Sequence, residues 1–180
     1  VDGDRRKHDP GEALRRDDAR QRLGDLTLHL LDVLLHRGIA FLYGLRALLI
    51  NNGFELKDKK VLVLGSGGTS KTATAVGRSL GAKEICVVSR NGELNYQNVL
   101  FLHGDAQYII NTTPCGMFPD NKSSAIGLDG FGELEGVCDV IYNPLRTPLL
   151  LEAKEKKLKY CGGLYMLVMQ AVKASELFLG

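Results

Sequence analysis

Val61-Leu62-Val63-Leu64-Gly65-Ser66-Gly67-Gly68-Thr69-Ser70 is the stretch whose reading decides the fold. Four consecutive apolar residues suit a strand buried on both faces, as in a parallel sheet. The glycine run that follows opens straight into a helical pattern running from Thr69 to Leu80, with Ala73, Val76 and Leu80 on one face and Gly81 as its stop. Gly65 permits the tight turn, and Gly67 lets the backbone come close to a pyrophosphate. Gly68, Thr69 and Ser70 start the helix, where free N–H groups and the dipole attract phosphate. With Ser66 in the variable position the spacing is G-x-G-G, and Ser70 stands where a third glycine is usual. A glycine-rich turn that binds nothing is the alternative at this point.

Outward from this turn the pattern repeats. Glu84 to Ser89, Gln107 to Asn111, Val137 to Tyr142 and Leu158 to Cys161 read as further strands. Helices are expected over 148–157 and 164–178, the latter with Leu167, Val168, Ala171, Ser175 and Phe178 on one side. Before the first strand, Phe41, Leu45, Leu48 and Leu49 form a helical stripe ended by Asn52-Gly53. The stretch from Asn91 to Ala106 is short for a full crossover helix and gives no clear element. Strands alternating with helices imply βαβ units, hence an α/β, Rossmann-like doubly wound parallel sheet.

The second strand ends at Ser89-Arg90-Asn91. An NAD site usually carries an acidic residue here for the ribose 2′-hydroxyl, and this chain has none. Arg90 is suited to a 2′-phosphate and to lying over an adenine, and Ser89 to a further hydrogen bond. That favours NADP, against the alternative of a solvated surface arginine.

The bulk properties exclude several classes. The 180 residues are 44% hydrophobic and carry a formal charge of +2, and the mean hydropathy is −0.05. No strong field points to nucleic acid, and no apolar run approaches the roughly 20 residues of a membrane span. No signal-peptide pattern follows Val1, so a cytoplasmic location is expected. Cys86, Cys115, Cys138 and Cys161 show no metal-motif spacing, so they are expected to be free thiols and no metal is expected. The composition changes near residue 40: seven Arg and one Lys before it, four Arg and eleven Lys after. Residues 1–40 are therefore expected to be an anomalous leader, irregular or helical over Leu26 to Leu35, and residues 41–180 the nucleotide domain.

The series VLVLGSGGTSKTA, VVSRN, IINTTPCGMFP, VIYNPLRTPLL and GGLYMLVMQA resembles shikimate dehydrogenases in order and spacing over residues 41–180. The resemblance implies NADP-dependent hydride transfer between shikimate and 3-dehydroshikimate. It implies that Gly65, Ser66, Gly67, Gly68, Thr69 and Ser70 hold the pyrophosphate. Ser89, Arg90 and Asn91 stand at the family's Asn-Arg-Thr grip on the 2′-phosphate, leaving Arg90 most of the discrimination. Asn111, Thr112 and Thr113 resemble the loop along the cofactor. Val140, Gly163 and Met166 match positions near the nicotinamide, and Tyr142 and Gln170 match positions that reach substrate hydroxyls. The family's catalytic lysine and aspartate come from a preceding substrate domain that residues 1–40 do not resemble. Lys7 and Asp32 have the right types without a supporting setting, so no catalytic residue is assigned. The implied partner is a small-molecule substrate, with no nucleic acid or membrane. A nucleotide domain without its companion is expected to expose an apolar cleft wall near Tyr142 and Met166 and to self-associate. The alternative is a non-catalytic NADP-binding module completed by another chain.

Overall fold

The computed structural model describes residues 38–179. The expected helix at Leu26 to Leu35, with Lys7 and Asp32, lies outside them. The first described element, α1 (38–51), runs through residue 40 without a break. It is followed by β1 (Lys60–Leu64), α2 (Gly68–Ser79), β2 (Glu84–Val88), α3 (Val99–His103), β3 (Tyr108–Asn111), β4 (Gly136–Asp139), α4 (Pro148–Glu155), β5 (Lys159–Gly162) and α5 (Leu164–Leu179).

The five strands form one parallel sheet in the order β2-β1-β3-β4-β5. Alternate side chains of a strand point to opposite faces, and both faces are covered here. Val61 and Val63 pack with Leu45, Leu48 and Leu49 of α1, Ala73 and Val76 of α2, and Met166 of α5. Leu62 and Leu64 pack on the other face with Val99 of α3 and with Leu149, Leu150 and Ala153 of α4. Double coverage explains why the strands are continuous apolar runs rather than alternating ones. It also bears out the doubly wound α/β fold expected from the alternating pattern.

Three local readings differ from the structure. The strand expected over Val137 to Tyr142 pairs only from Gly136 to Asp139, where its neighbours β3 and β5 reach Asn111 and Gly162. Beyond that point Ile141 donates its N–H to the Asp139 carboxylate at 3.1 Å instead of to a neighbouring strand. The unread stretch from Asn91 to Ala106 holds the short α3, introduced by the Asn95 carboxamide, whose oxygen accepts from the N–H groups of Gln97 and Asn98. On α5 the stripe expected to be the helix's apolar face is largely exposed, and Met166 is the buried residue. The reason is Gly44 of α1: a Cβ there would lie 2.6 Å from the Met166 carbonyl oxygen and 2.7 Å from Cγ of Gln170. The two helices meet along the Met166–Gln170 edge.

Candidate active site at the carboxyl edge of the sheet

β1 lies between β2 and β3. The chain leaves β1 in one direction and returns past it to β3, so the carboxyl ends of these strands flank a topological switch point, where open α/β sheets hold ligands. A cleft of about 420 Å³ opens there, within the usual range for a small-molecule site. It is lined by Gly65, Ser66 and Gly67 from the glycine turn, Ser89 and Arg90 after β2, and Thr112 and Thr113 after β3. These segments are far apart in sequence, and the parallel register brings them together.

The glycine turn is shaped by two demands. Gly65 has φ +105°, and a Cβ there would meet Thr112 Oγ1 at 2.9 Å. Any side chain is thus excluded by conformation and by space. Gly67 and Gly68 differ: a Cβ on either meets no protein atom within 4 Å. Their bareness is not required by the protein's own packing and leaves the backbone open to the cleft. Gly67 caps α2 without a side-chain hydrogen bond, and no acidic residue lies in the first turn. The helix start therefore offers N–H groups and dipole charge to an anion. Thr69 is half-buried and Ser70 buried at the base of this turn, and Asn91 is exposed beyond Arg90.

Arg90 is exposed and has no ion pair or hydrogen bond among the described residues. Tyr96 stands at the same cleft. Burial raises its phenol above the usual range, with the Cys115 thiol adding to this and the Arg90 charge opposing it. A free guanidinium beside an aromatic ring and a bare helix start is a donor set for a phosphorylated nucleotide.

The floor of the site is a buried polar brace. Asn111 has no exposed surface. Its Nδ2 donates to Asp139 Oδ1 at 3.1 Å, and its Oδ1 accepts from Thr113 N–H at 3.0 Å and from the Thr113 hydroxyl at 2.7 Å. Thr147 donates to Asp139 Oδ2 at 2.7 Å and accepts from the Leu150 N–H, capping α4. Burial pushes the Asp139 carboxyl above its usual range, opposed by hydrogen bonds from Thr147, Ile141 N–H and Asn111. Thr112 donates to the Leu64 carbonyl at 2.6 Å, which fixes the loop after β3 against the glycine turn. Asn111 thus ties Thr113, in the loop after β3, to Asp139 at the end of β4.

A shikimate dehydrogenase (NADP(+)) of Clostridium beijerinckii is 34% identical over 164 residues, covering 84% of this chain and 60% of that protein. The chorismate mutase/shikimate 5-dehydrogenase fusion protein from Clostridium acetobutylicum superposes with a TM-score of 0.72 at 32% identity, over 77% of this chain and 54% of that one. The shikimate 5-dehydrogenase from Thermus thermophilus, solved with NADP(H) and shikimate, gives 0.67 at 29% identity over 77% and 56%. The chain belongs to the shikimate dehydrogenase family. It spans a little over half the length of the curated relatives it matches. No family model matches it.

The remaining positions carried over from the shikimate dehydrogenase resemblance lie along the same edge, toward β4 and β5. Tyr142 is 51% exposed and lines a second hollow of about 320 Å³ with Ile141, Leu145, Gly163 and Tyr165. Gly163 is buried against Val140, whose carbonyl oxygen would lie 1.9 Å from a Cβ there. Gly163 N–H also donates to the Ile141 carbonyl at 2.9 Å. Met166 is only 5% exposed, so of the two residues expected at the apolar wall only Tyr142 is open to solvent. The methionine is taken up by α1. Gln170 is half-buried one turn further on, beside Gly44.

Sequence reasoning missed Tyr96, Pro114, Cys115, Ser124 and Ala125, which also line the glycine cleft. They come from two irregular segments without periodicity. It also missed Asp139 and Thr147. A lone acid inside the apolar run Val137-Cys138-Asp139-Val140 was the available signal, because such a group must find buried partners. Among the described residues no helix is long and apolar enough to cross a membrane.

Proposed function

We propose that residues 41–180 form the NADP-binding domain of a shikimate dehydrogenase-type oxidoreductase, which interconverts shikimate and 3-dehydroshikimate by hydride transfer. The observation that carries this reading is the pairing of an α2 start without a side-chain cap, bare at Gly67 and Gly68, with Arg90, unpaired among the described residues, in one cleft. The cofactor supplies the hydride chemistry. The chain's own residues bind and orient it. Gly65 to Ser70 hold the pyrophosphate through backbone N–H groups. Arg90 and Ser89, with Asn91 beside them, receive the 2′-phosphate. Thr112 and Thr113 line the path toward the nicotinamide end, where Val140, Gly163 and Met166 form the backing. Tyr142 and Gln170 reach substrate hydroxyls, and no residue of this chain is assigned the proton transfer.

Calorimetric titration of the chain with NADP and with NAD tests this. Saturable binding that favours NADP is the expected result, and equal or absent binding of both defeats the proposal. A second reading, a nucleotide module completed by another chain or by a second copy, is favoured by α5. That helix leaves Leu167, Val168, Val172 and Leu179 exposed, and such contiguous apolar surface on a soluble domain marks an interaction face. Binding of NADP without turnover, together with a concentration-dependent mass in sedimentation, supports that reading.

A further inference from the structure

Toward the amino end of β2, away from the glycine cleft that follows its carboxyl end, Glu84, Cys86 and His103 bring one carboxylate, one thiol and one imidazole together, with all three ligand atoms within 4.8 Å of one another. Glu84 and Cys86 are two apart on β2 and so share a face, and His103 is the last residue of α3. Cys86 Sγ lies 3.3 Å from Glu84 Oε1 and 3.7 Å from His103 Nδ1, and that nitrogen is 3.9 Å from Glu84 Oε1. Zinc bonds of about 2.3 Å to sulfur and about 2.0–2.2 Å to nitrogen or oxygen, at tetrahedral angles, place donors about 3.3–3.6 Å apart. The three separations thus fall within roughly half an ångström of the spacing a tetrahedral ion imposes.

We infer that Glu84, Cys86 and His103 form a binding site for a zinc-like divalent cation, with the fourth position open to water. The site is separate from the proposed nucleotide chemistry and does not depend on it.

The donor set of thiolate, imidazole and carboxylate selects a borderline-soft metal over magnesium or calcium, which take oxygen ligands. Charge agrees. Lys60 Nζ sits 3.2 Å from Glu84 Oε2 and 2.8 Å from Asp105 Oδ2, leaving Glu84 Oε1 on the side of the cysteine and histidine. With Cys86 as thiolate, the group of Glu84, Cys86, Asp105 and Lys60 carries two net negative charges, which a divalent cation neutralises. Binding releases the thiol proton to solvent, so affinity rises with pH. The ion joins β2, an edge strand, to the short helix α3, and so fastens that rim of the sheet. The sequence hid the site because Cys86 and His103 are separated by a turn and a helix and match no motif spacing.

The test is Co(II) and Zn(II) titration of the full chain. Expected are saturable one-to-one binding, a thiolate-to-Co(II) charge-transfer band with tetrahedral d–d absorption, displacement of both by Zn(II), and a higher Tm with zinc. Cys86→Ser abolishes the charge-transfer band. His103→Gln, which leaves that cysteine in place, weakens binding by more than about tenfold. Lys60→Gln tightens binding, because a competing cation is removed from Glu84. No saturable binding overturns the site, as does a thiolate band that survives in Cys86→Ser or an affinity unchanged in His103→Gln.

Discussion

Arg90 projects from the end of β2 with no counter-charge among the described residues, so its guanidinium is available to a ligand. Arg90→Ala is expected to cost roughly 1.5–3 kcal/mol of NADP affinity, the size of a charge-assisted hydrogen-bond pair. That is about 10- to 150-fold in Kd, with NAD affinity little changed. Titration of wild type and variant with both nucleotides checks this, and equal weakening of the two removes Arg90 from the phosphate. Gly163 is a residue of a different kind. A methyl group there would meet the Val140 carbonyl oxygen at 1.9 Å, and both atoms belong to backbone that cannot swing aside. Gly163→Ala is expected to lose at least the roughly 1–3 kcal/mol typical of overpacking, seen as a lower urea midpoint. A glycine in the sequence announces freedom but not its use. Gly65 and Gly163 are excluded from bearing a side chain by neighbours on distant segments, whereas Gly67 faces open space.

The elements that were legible are those whose burial is written in runs. β1 and β3 are enclosed on both faces, so Val61-Leu62-Val63-Leu64 and Ile109-Ile110 declare themselves. The ends were not legible, because they depend on neighbours: β4 stops where β3 and β5 stop. The five-residue α3 escaped because a helix that short has no period to display. The outward stripe of α5 misled because an apolar period gives a face but not a direction, and Gly44 decided which edge docks. Thr147 ties two elements at once, capping α4 and donating to Asp139 at the end of β4. Thr147→Val keeps the shape and removes both bonds. It is expected to cost about 1–3 kcal/mol in denaturant unfolding, and Thr147→Ser, which retains the hydroxyl, is expected to recover most of it.

At the scale of the whole molecule, ion pairs and burial act in opposite directions on acidification. Lys59, with the Tyr108 hydroxyl assisting against burial, holds the Glu135 carboxyl below its usual 4.5. Its folded value is lower than its unfolded one, so its stabilisation is complete above the usual range and is lost as pH falls through the lowered value. Lysine partners hold Asp105 and Asp129 down in the same sense, though both are exposed and contribute little. Asp139 opposes them. Its folded value is raised, so the stability it contributes is present below the usual aspartate range and lost as pH rises through the raised value. Urea unfolding followed between about pH 3 and 7 is expected to show stability falling on the acid side. Glu135→Gln should flatten that fall, and an unchanged slope in the variant would remove Glu135 from the acid limb.

The strand–turn–helix at Val61 to Ser70, the arginine after the second strand and the alternation of strands with helices were determined by the sequence itself. Each is a local pattern: burial on both faces makes a continuous apolar run, a bare phosphate-sized turn makes glycines, and the absence of an acid after Val88 is visible without a partner. Only the tertiary structure decided what depends on contacts between distant segments. It brought Gly67, Arg90 and Thr113 to one cleft through parallel register, buried Asn111 and Asp139 as a brace beneath it, turned Met166 inward against Gly44, and set Glu84, Cys86 and His103 around a common point. These outcomes follow from packing across the sheet and between helices, which no periodicity along the chain encodes.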